Sequence, residues 1–225
     1  MVICLLLSAC SGPFSTLDPA GPSARDVAGL WWAMFAFSTL VLIGVTVLWI
    51  YAIRRPPSHP DQASAQAVQN RWVIWGGLAL PLGSIVLLLA FGIPIGHRML
   101  PLPSDSEEVL QIEVTGHQWW WEVHYPDDSI QLTDEVHIPV DTPVDILLRS
   151  NDVIHSFWVP RLGGKVDMIP GRTNVLRLRA DEPGVYRGSC AEFCGVGHAH
   201  MQFTVTAHSA EDFADWQQQA QEDDE

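Results

Sequence analysis

From position 190 the chain reads Cys-Ala-Glu-Phe-Cys-Gly-Val-Gly-His-Ala-His-Met, placing two thiols, an imidazole and a thioether within twelve residues. Soft thiolate and thioether donors combined with imidazole suit copper. Gly195 and Gly197 permit tight backbone turns, so His198 and Met201, four and seven residues after Cys194, can converge with it on one point. A distant His155 follows the apolar run 144–149 at the start of a loop, where a β-sandwich can deliver it to the same rim. Other readings account for parts of this set. A C-x₃-C pair outside the cytoplasm is often a disulfide, and a single histidine is more often an ordinary surface or core residue. A Cys₂His₂ zinc site usually pairs C-x₂₋₄-C with a much later H-x₃₋₅-H and has no use for methionine. A mononuclear blue-copper site takes one Cys, two His and a weak axial Met, which leaves the second cysteine over. Two thiolates bridging two copper ions use every donor.

The elements that must position these donors are short. Runs rich in Val, Ile, Leu, Trp and Thr recur at 109–115, 119–125, 135–140, 144–149, 173–179, 185–189 and 201–206, separated by punctuation such as Pro126-Asp127-Asp128 and Pro183-Gly184. That spacing predicts an antiparallel sandwich or Greek-key barrel. Ser209 followed by Asp212 starts a capping box, and Phe213 and Trp216 share a face, so a short helix and an acidic tail are expected over 209–225.

Ahead of the β region lie two uncharged runs, 30–53 and 72–95, each of 24 residues and long enough as a helix to cross a hydrocarbon core of about 30 Å. Trp31, Trp32, Trp49, Trp72 and Trp75 sit near the expected interfaces. The connecting loop carries Arg54, Arg55 and Arg71 against Asp61, which places it in the cytoplasm and both termini outside. Neither run contains a histidine, carboxylate or lysine, so the hairpin offers no haem ligand or evident proton relay. Pro81 and Pro94 predict a kink and an early end to the second helix. Leu7-Ser8-Ala9-Cys10 resembles a bacterial lipoprotein cleavage box, with Cys10 as the lipidated residue. The expected organisation is a signal segment over 1–10, a flexible linker over 11–29, a transmembrane hairpin over 30–96, a β domain over 97–208 and the helical tail.

Composition agrees with this layout. With 48% hydrophobic and only 17% charged residues, the chain departs from the roughly 25% charged content of soluble domains. A net charge of −14 excludes a nucleic-acid binder that relies on a basic surface. The residues after His97 hold eight basic and 23 acidic side chains, a balance of −15, so one outer domain carries essentially all of the charge.

Four ordered motifs complete the reading: Gly116-His117-Gln118-Trp119-Trp120-Trp121, Asp152-Val153-Ile154-His155-Ser156, Lys165-Val166-Asp167-Met168-Ile169-Pro170-Gly171-Arg172, and the run from Cys190 to Met201. Together they resemble subunit II of bacterial cytochrome c oxidases, in the haem-copper oxidase superfamily. The resemblance implies a mainly β protein with a two-helix transmembrane hairpin and an extracytoplasmic cupredoxin-like Greek-key barrel holding two copper ions, the CuA centre. It implies that Cys190 and Cys194 bridge the coppers, that His155 and His198 each bind one, and that Met201 and the Glu192 carbonyl supply weak axial contacts. The Glu192 carboxylate would help hold magnesium at the contact with subunit I. By the same resemblance Trp119 would be the entry point for electrons from cytochrome c. Asp152, in a matching motif, would join Asp127 and Asp128 in an acidic docking patch, the alternative for Asp127 and Asp128 being a generic solvated face, while Phe193 and Val196, as apolar neighbours, would limit solvent access to the metal.

On this resemblance the chain is the electron-input subunit of a respiratory oxidase of the bacterial inner membrane, which reduces oxygen to water coupled to proton translocation. Its partners would be oxidase subunit I, subunit III, cytochrome c and membrane lipid. The sequence shows no C-x-x-C-H for a fused cytochrome c, so the donor is expected to be a separate protein. Residues 67–75 lack the carboxylate linked in many relatives to proton entry. The quinol oxidase form of the subunit lacks the copper ligands. A membrane-anchored copper chaperone or thiol reductase would show a βαβ pattern and one membrane helix. A nitrous oxide reductase would carry its similar site on a long soluble chain.

Overall fold

The computed structural model describes residues 11–56, 61–102 and 109–223. Cys10, the expected lipidation site, lies outside the described residues. The chain divides into two compact units, one over 29–98 and the other formed by the segment up to Ala28 together with the chain from Met99 onward.

The helical unit contains most of α1 (Pro22–Arg54), then α2 (Gln62–Trp72), a π-helical stretch (Val73–Ala79) and α3 (Leu80–Arg98). Residues 22–54 and 62–98 form helices long and apolar enough to cross a membrane, and their apolar windows bury nothing inside the protein. The second helix starts ten residues before the apolar run, because Asp61 caps it by accepting hydrogen bonds from the Ser64 N–H at 2.8 Å and hydroxyl at 2.9 Å. The expected kink has a specific form. Pro81 has no N–H for the carbonyl four residues back, and the ladder ahead of it slips, with the Leu80 N–H bonding the Trp75 carbonyl five residues back. Pro94 does not end the helix, which continues to Arg98.

The β unit has ten strands: β1 (Leu110–His117), β2 (Trp120–Tyr125), β3 (Ile130–Thr133), β4 (Glu135–Pro139), β5 (Val144–Ser150), β6 (His155–Trp158), β7 (Val166–Met168), β8 (Asn174–Leu178), β9 (Gly184–Cys190) and β10 (Gln202–His208). They form two five-stranded sheets, ordered β3-β2-β1-β5-β8 and β4-β10-β9-β6-β7. The sheets are mixed rather than purely antiparallel, since β1 pairs with β5 and β4 with β10 in parallel. Alternation along β1, β5 and β10 sends Ile112, Val114, Ile146, Leu148, Phe203 and Val205 into one core. The chain passes between sheets at Asp134, which adopts φ 60°. There its carboxylate accepts from the Trp121 N–H at 2.8 Å, while its own N–H donates to the Trp121 carbonyl at 3.0 Å.

Residues 11–29 are not a free linker. The Ala20 N–H donates to the Arg161 carbonyl at 2.7 Å, and the Ala20 carbonyl accepts from the Asp181 N–H at 2.9 Å, so the segment lies on the β unit as a strap. Gly21 is required there, because a Cβ would stand 2.5 Å from the Arg179 carbonyl oxygen. At the other terminus α4 (Ala210–Asp223) begins with the expected capping box: the Ser209 hydroxyl bonds the Asp212 carboxylate at 2.6 Å and accepts the Asp212 N–H at 3.2 Å.

Candidate metal centre

Sheet register brings the soft donors together. The Cys190 N–H donates to the Met201 carbonyl at 2.9 Å, one step beyond the last paired residues of β9 and β10, so the twelve-residue ligand loop closes on itself. On the opposite edge of β9, Phe157 pairs with Cys190, and the Ala191 N–H donates to the Ser156 carbonyl at 2.9 Å. This sets His155 beside Cys190. His155 therefore opens strand β6 rather than sitting in a loop. The sequence pattern hides that strand because His155, Ser156 and Phe157 are all buried, leaving no alternation to read.

Five side chains converge. Cys190 Sγ lies 3.8 Å from Cys194 Sγ and 3.9 Å from His155 Nδ1, and Cys194 Sγ lies 3.6 Å from His198 Nδ1 and 3.7 Å from Met201 Sδ. The Glu192 carbonyl oxygen stands 3.2 Å from Cys190 Sγ. Both thiols are free and buried. Their separation far exceeds the roughly 2.05 Å of a disulfide. It matches two thiolates that share a metal at about 2.3 Å each. The donors are two sulfur anions in waiting, two imidazole nitrogens, a thioether and a carbonyl, with no carboxylate among them, and this set fits copper.

Electrostatics prepare the site. Burial raises the Cys190 thiol, but hydrogen bonding with His155, with the backbone at Glu192 and Ser156 and with His198 outweighs it and holds the pKa below the ordinary value. Cys194 is raised by its own burial and by the adjacent Cys190. His155 is fully buried; burial lowers its pKa, yet hydrogen bonds with Cys190 and Asp152 raise it overall. Its Nε2 lies 2.7 Å from Asp152 Oδ1, so the Nε2–H is anchored and Nδ1 is aimed at the thiols. Gly116 on β1 leaves room for that ring, since a Cβ would stand 2.9 Å from its Cδ2.

The tryptophan run divides as alternation requires. Trp121 is fully buried beside His155, Trp120 stacks on His117 with centroids 4.3 Å apart, and Trp119 is 38% exposed in the turn before β2, not on the strand. The Trp119 indole lies over Gly195 and Gly197, where a Cβ on Gly197 would be 2.4 Å from Cδ2, and its Nε1–H donates to the Cys194 carbonyl at 3.3 Å. Gly195 also has φ 122°, which only glycine adopts without strain.

Several expectations change. Phe193 and Val196 do not shield the donors; they are 76% and 91% exposed, because the loop turns them outward, and Trp121, Phe157 and Phe203 are the packed aromatic groups instead. Asp127 and Asp128 sit at the Tyr125 end of β2, about 17 Å along a six-residue strand from Trp119. Asp128 there accepts hydrogen bonds from Gln217 at 2.7 Å and Gln221 at 3.0 Å. Asp152, exposed at the surface, accepts from the Val153 and Gln118 N–H groups, both at 2.6 Å, besides its contact with His155. The Glu192 carboxylate is exposed, 3.9 Å from Lys165 Nζ. The sequence reading missed Gly116 and Gln118 as parts of the site, although both stand in the motif that contains Trp119.

A sequence profile described as "Cytochrome C oxidase subunit II, periplasmic domain" matches residues 129–208. The cytochrome c oxidase subunit 2 of Alkalihalophilus pseudofirmus is 36% identical over 227 residues, covering 94% of this chain, while the chain spans 64% of that relative's length. A probable cytochrome c oxidase subunit 2 of Rickettsia bellii is 30% identical over 221 residues, covering 88% of this chain and 80% of the relative. Among solved structures, the periplasmic domain of subunit II of cytochrome oxidase from Bradyrhizobium japonicum is similar at a TM-score of 0.51 and 30% identity, over 55% of this chain and 99% of that one.

Proposed function

The chain belongs to the cytochrome c oxidase subunit II family, and on that premise we propose that it is the electron-input subunit of a respiratory terminal oxidase, receiving electrons from a cytochrome c and delivering them to a haem-copper subunit that reduces oxygen. The observation that carries this reading is the convergence of five side chains, in which Cys190 Sγ contacts His155 and Cys194, and Cys194 Sγ contacts His198 and Met201, at 3.6–3.9 Å. Two copper ions held by these residues would supply one-electron transfer.

The protein's own part is to hold the donors still and dry. Met201 is 1% exposed, Cys194 3% and Cys190 6%, so water is kept from the sulfur side. His155 is fixed in rotation and tautomer by Asp152, and the main chain at His198 is held by a turn in which its N–H donates to the Gly195 carbonyl at 3.1 Å. Trp119, bonded to the Cys194 carbonyl and open to solvent, provides the edge where a donor reaches the site. The Glu192 carbonyl, 3.2 Å from Cys190 Sγ, would serve as a further oxygen donor to copper, and its exposed carboxylate would be offered to magnesium at the contact with subunit I. The two helices anchor the chain in the bacterial inner membrane beside subunits I and III and lipid, with the β unit on the outer face. Cys10 is the proposed lipidation site.

The test is the copper content and EPR spectrum of the full-length protein in detergent. Two coppers per chain with a delocalised mixed-valence signal support the reading; a single-copper signal, or none, overturns it. The outer domain's balance of −15 also predicts that oxidation of a basic cytochrome c slows by about an order of magnitude as ionic strength rises from low to physiological. A rate indifferent to salt argues against a basic donor.

A further inference from the structure

His155 and the two cysteines reach the site from separate parts of the chain, 35 residues apart. Their relative position therefore depends on whatever connects β6 to the ligand loop. Metal contacts and the direct pairing of β6 with Cys190 and Ala191 aside, the described residues show a second connection through the turn between β1 and β2. The Gln118 main-chain N–H donates to Asp152 Oδ2 at 2.6 Å, and its side-chain Nε2–H donates to the Cys194 carbonyl at 2.7 Å. Asp152 in turn holds His155 Nε2 through its other oxygen at 2.7 Å. The links run His155, Asp152, Gln118, Cys194 and return through Cys190 to His155, closing a ring around the donors. We infer that Gln118 is a positioning residue, which locks the histidine segment and the cysteine loop into one frame.

Chemistry supports a specific role over incidental contact. Hydrogen bonds to a carboxylate are short and strong, and the two oxygens of Asp152 are divided between the two segments, Oδ2 taking the Gln118 N–H at 2.6 Å and Oδ1 lying 2.7 Å from His155 Nε2. The Cys194 carbonyl receives a second donor from Trp119 at the longer distance of 3.3 Å, so the amide of Gln118 is the tighter of the two clamps. The fit is close on both sides, since a Cβ on Gly195 would stand 3.1 Å from Gln118 Nε2. Gln118 itself lies in an exposed turn and contributes nothing to the apolar core, so its removal need not unfold the domain.

The inference rests on the copper reading, and the experiment separates the two. Full-length protein in detergent is compared as wild type, Gln118→Glu, Gln118→Ala and the distant control Gln217→Glu. Glutamate keeps the length of glutamine but offers only acceptors to the Cys194 carbonyl, while the main-chain bond to Asp152 persists in every variant. Both position-118 variants are expected to retain copper about 10–100-fold less tightly against a chelator and to show an altered EPR hyperfine pattern, with melting temperature close to wild type. In metal-free protein the same variants are expected to expose Cys190 and Cys194 to iodoacetamide severalfold faster, read by peptide mass spectrometry, whereas Gln217→Glu leaves the rate unchanged. Position-118 variants that match wild type in chelator competition, spectrum and alkylation overturn the frame. A wild type that takes up no copper overturns the copper reading instead, and the metal-free alkylation then decides the frame alone.

Discussion

The β unit holds two pairs of histidines at opposite ends, and they are put to opposite uses. Strand β10 joins the ends, with Met201 just before it and His208 as its last residue. At the metal end, His155 has one nitrogen anchored by a carboxylate and the other turned to a thiol at 3.9 Å. At the far end, His137 Nδ1 and His208 Nε2 bond each other at 2.8 Å, and Trp216 stacks on His137 with centroids 4.2 Å apart. The first arrangement leaves a lone pair facing soft donors; the second spends it on a neighbour beneath a helix. At the far end burial and the adjacent His208 push the His137 pKa down to about 4. Residue type alone does not make a ligand; what each ring nitrogen faces does.

The largest effect that separates the ends is loss of metal. Cys194→Ser is expected to abolish the mixed-valence signal and donor oxidation while the fold persists, because an alcohol replaces one of the two buried thiols at the proposed copper site. A variant that keeps the signal breaks the assignment of this end. At the far end, His137→Ala is expected to lower stability by about 1–3 kcal/mol in denaturant titration, through loss of the Trp216 stack and an unpaired His208, with copper content unchanged. Copper loss in that variant would show that the two ends are coupled.

Acid provides the next contrast. His137 faces His208 from β10, the Glu135 carboxylate at 3.8 Å on its own strand, and Trp216 of α4; Asp212 of α4 acts on His208, which burial lowers and Asp212 partly raises. The folded state favours the neutral imidazole, so its stability contribution is complete above the unfolded value of 6.5 and is lost as pH falls toward about 4. Melting temperature is expected to drop over that window, and to drop less in His137→Gln; equal slopes would remove this pair as the cause. The smallest effect is expected from Asp128→Asn, which weakens the bonds from Gln217 and Gln221 and costs under about 1 kcal/mol. The KM for cytochrome c should stay unchanged, and a raised KM would return Asp128 to the docking surface.

The twelve residues from Cys190 were legible because their donors are close in sequence and the glycines between them signal a turn. His155 was legible only as a residue type in a motif, since its strand has four residues and pairs by long-range register. Strands β3 and β7 escaped for the same reason, having four and three residues. The apolar runs marked both helices but not their ends, which were set by the Asp61 cap and by docking of Ala20 and Gly21 on the β unit. Asp152 read as a surface charge because sequence shows a carboxylate, not its three hydrogen bonds.

The amino-acid sequence by itself determined two apolar helices, a β domain and a soft donor set, because hydropathy, alternation and donor chemistry are local properties. Only the tertiary structure decided that His155 meets Cys190, that Gln118 bonds both segments, and that His137 and His208 are closed beneath Trp216. Those outcomes depend on strand pairing across long stretches of chain, and no local pattern encodes which nitrogen will face which atom.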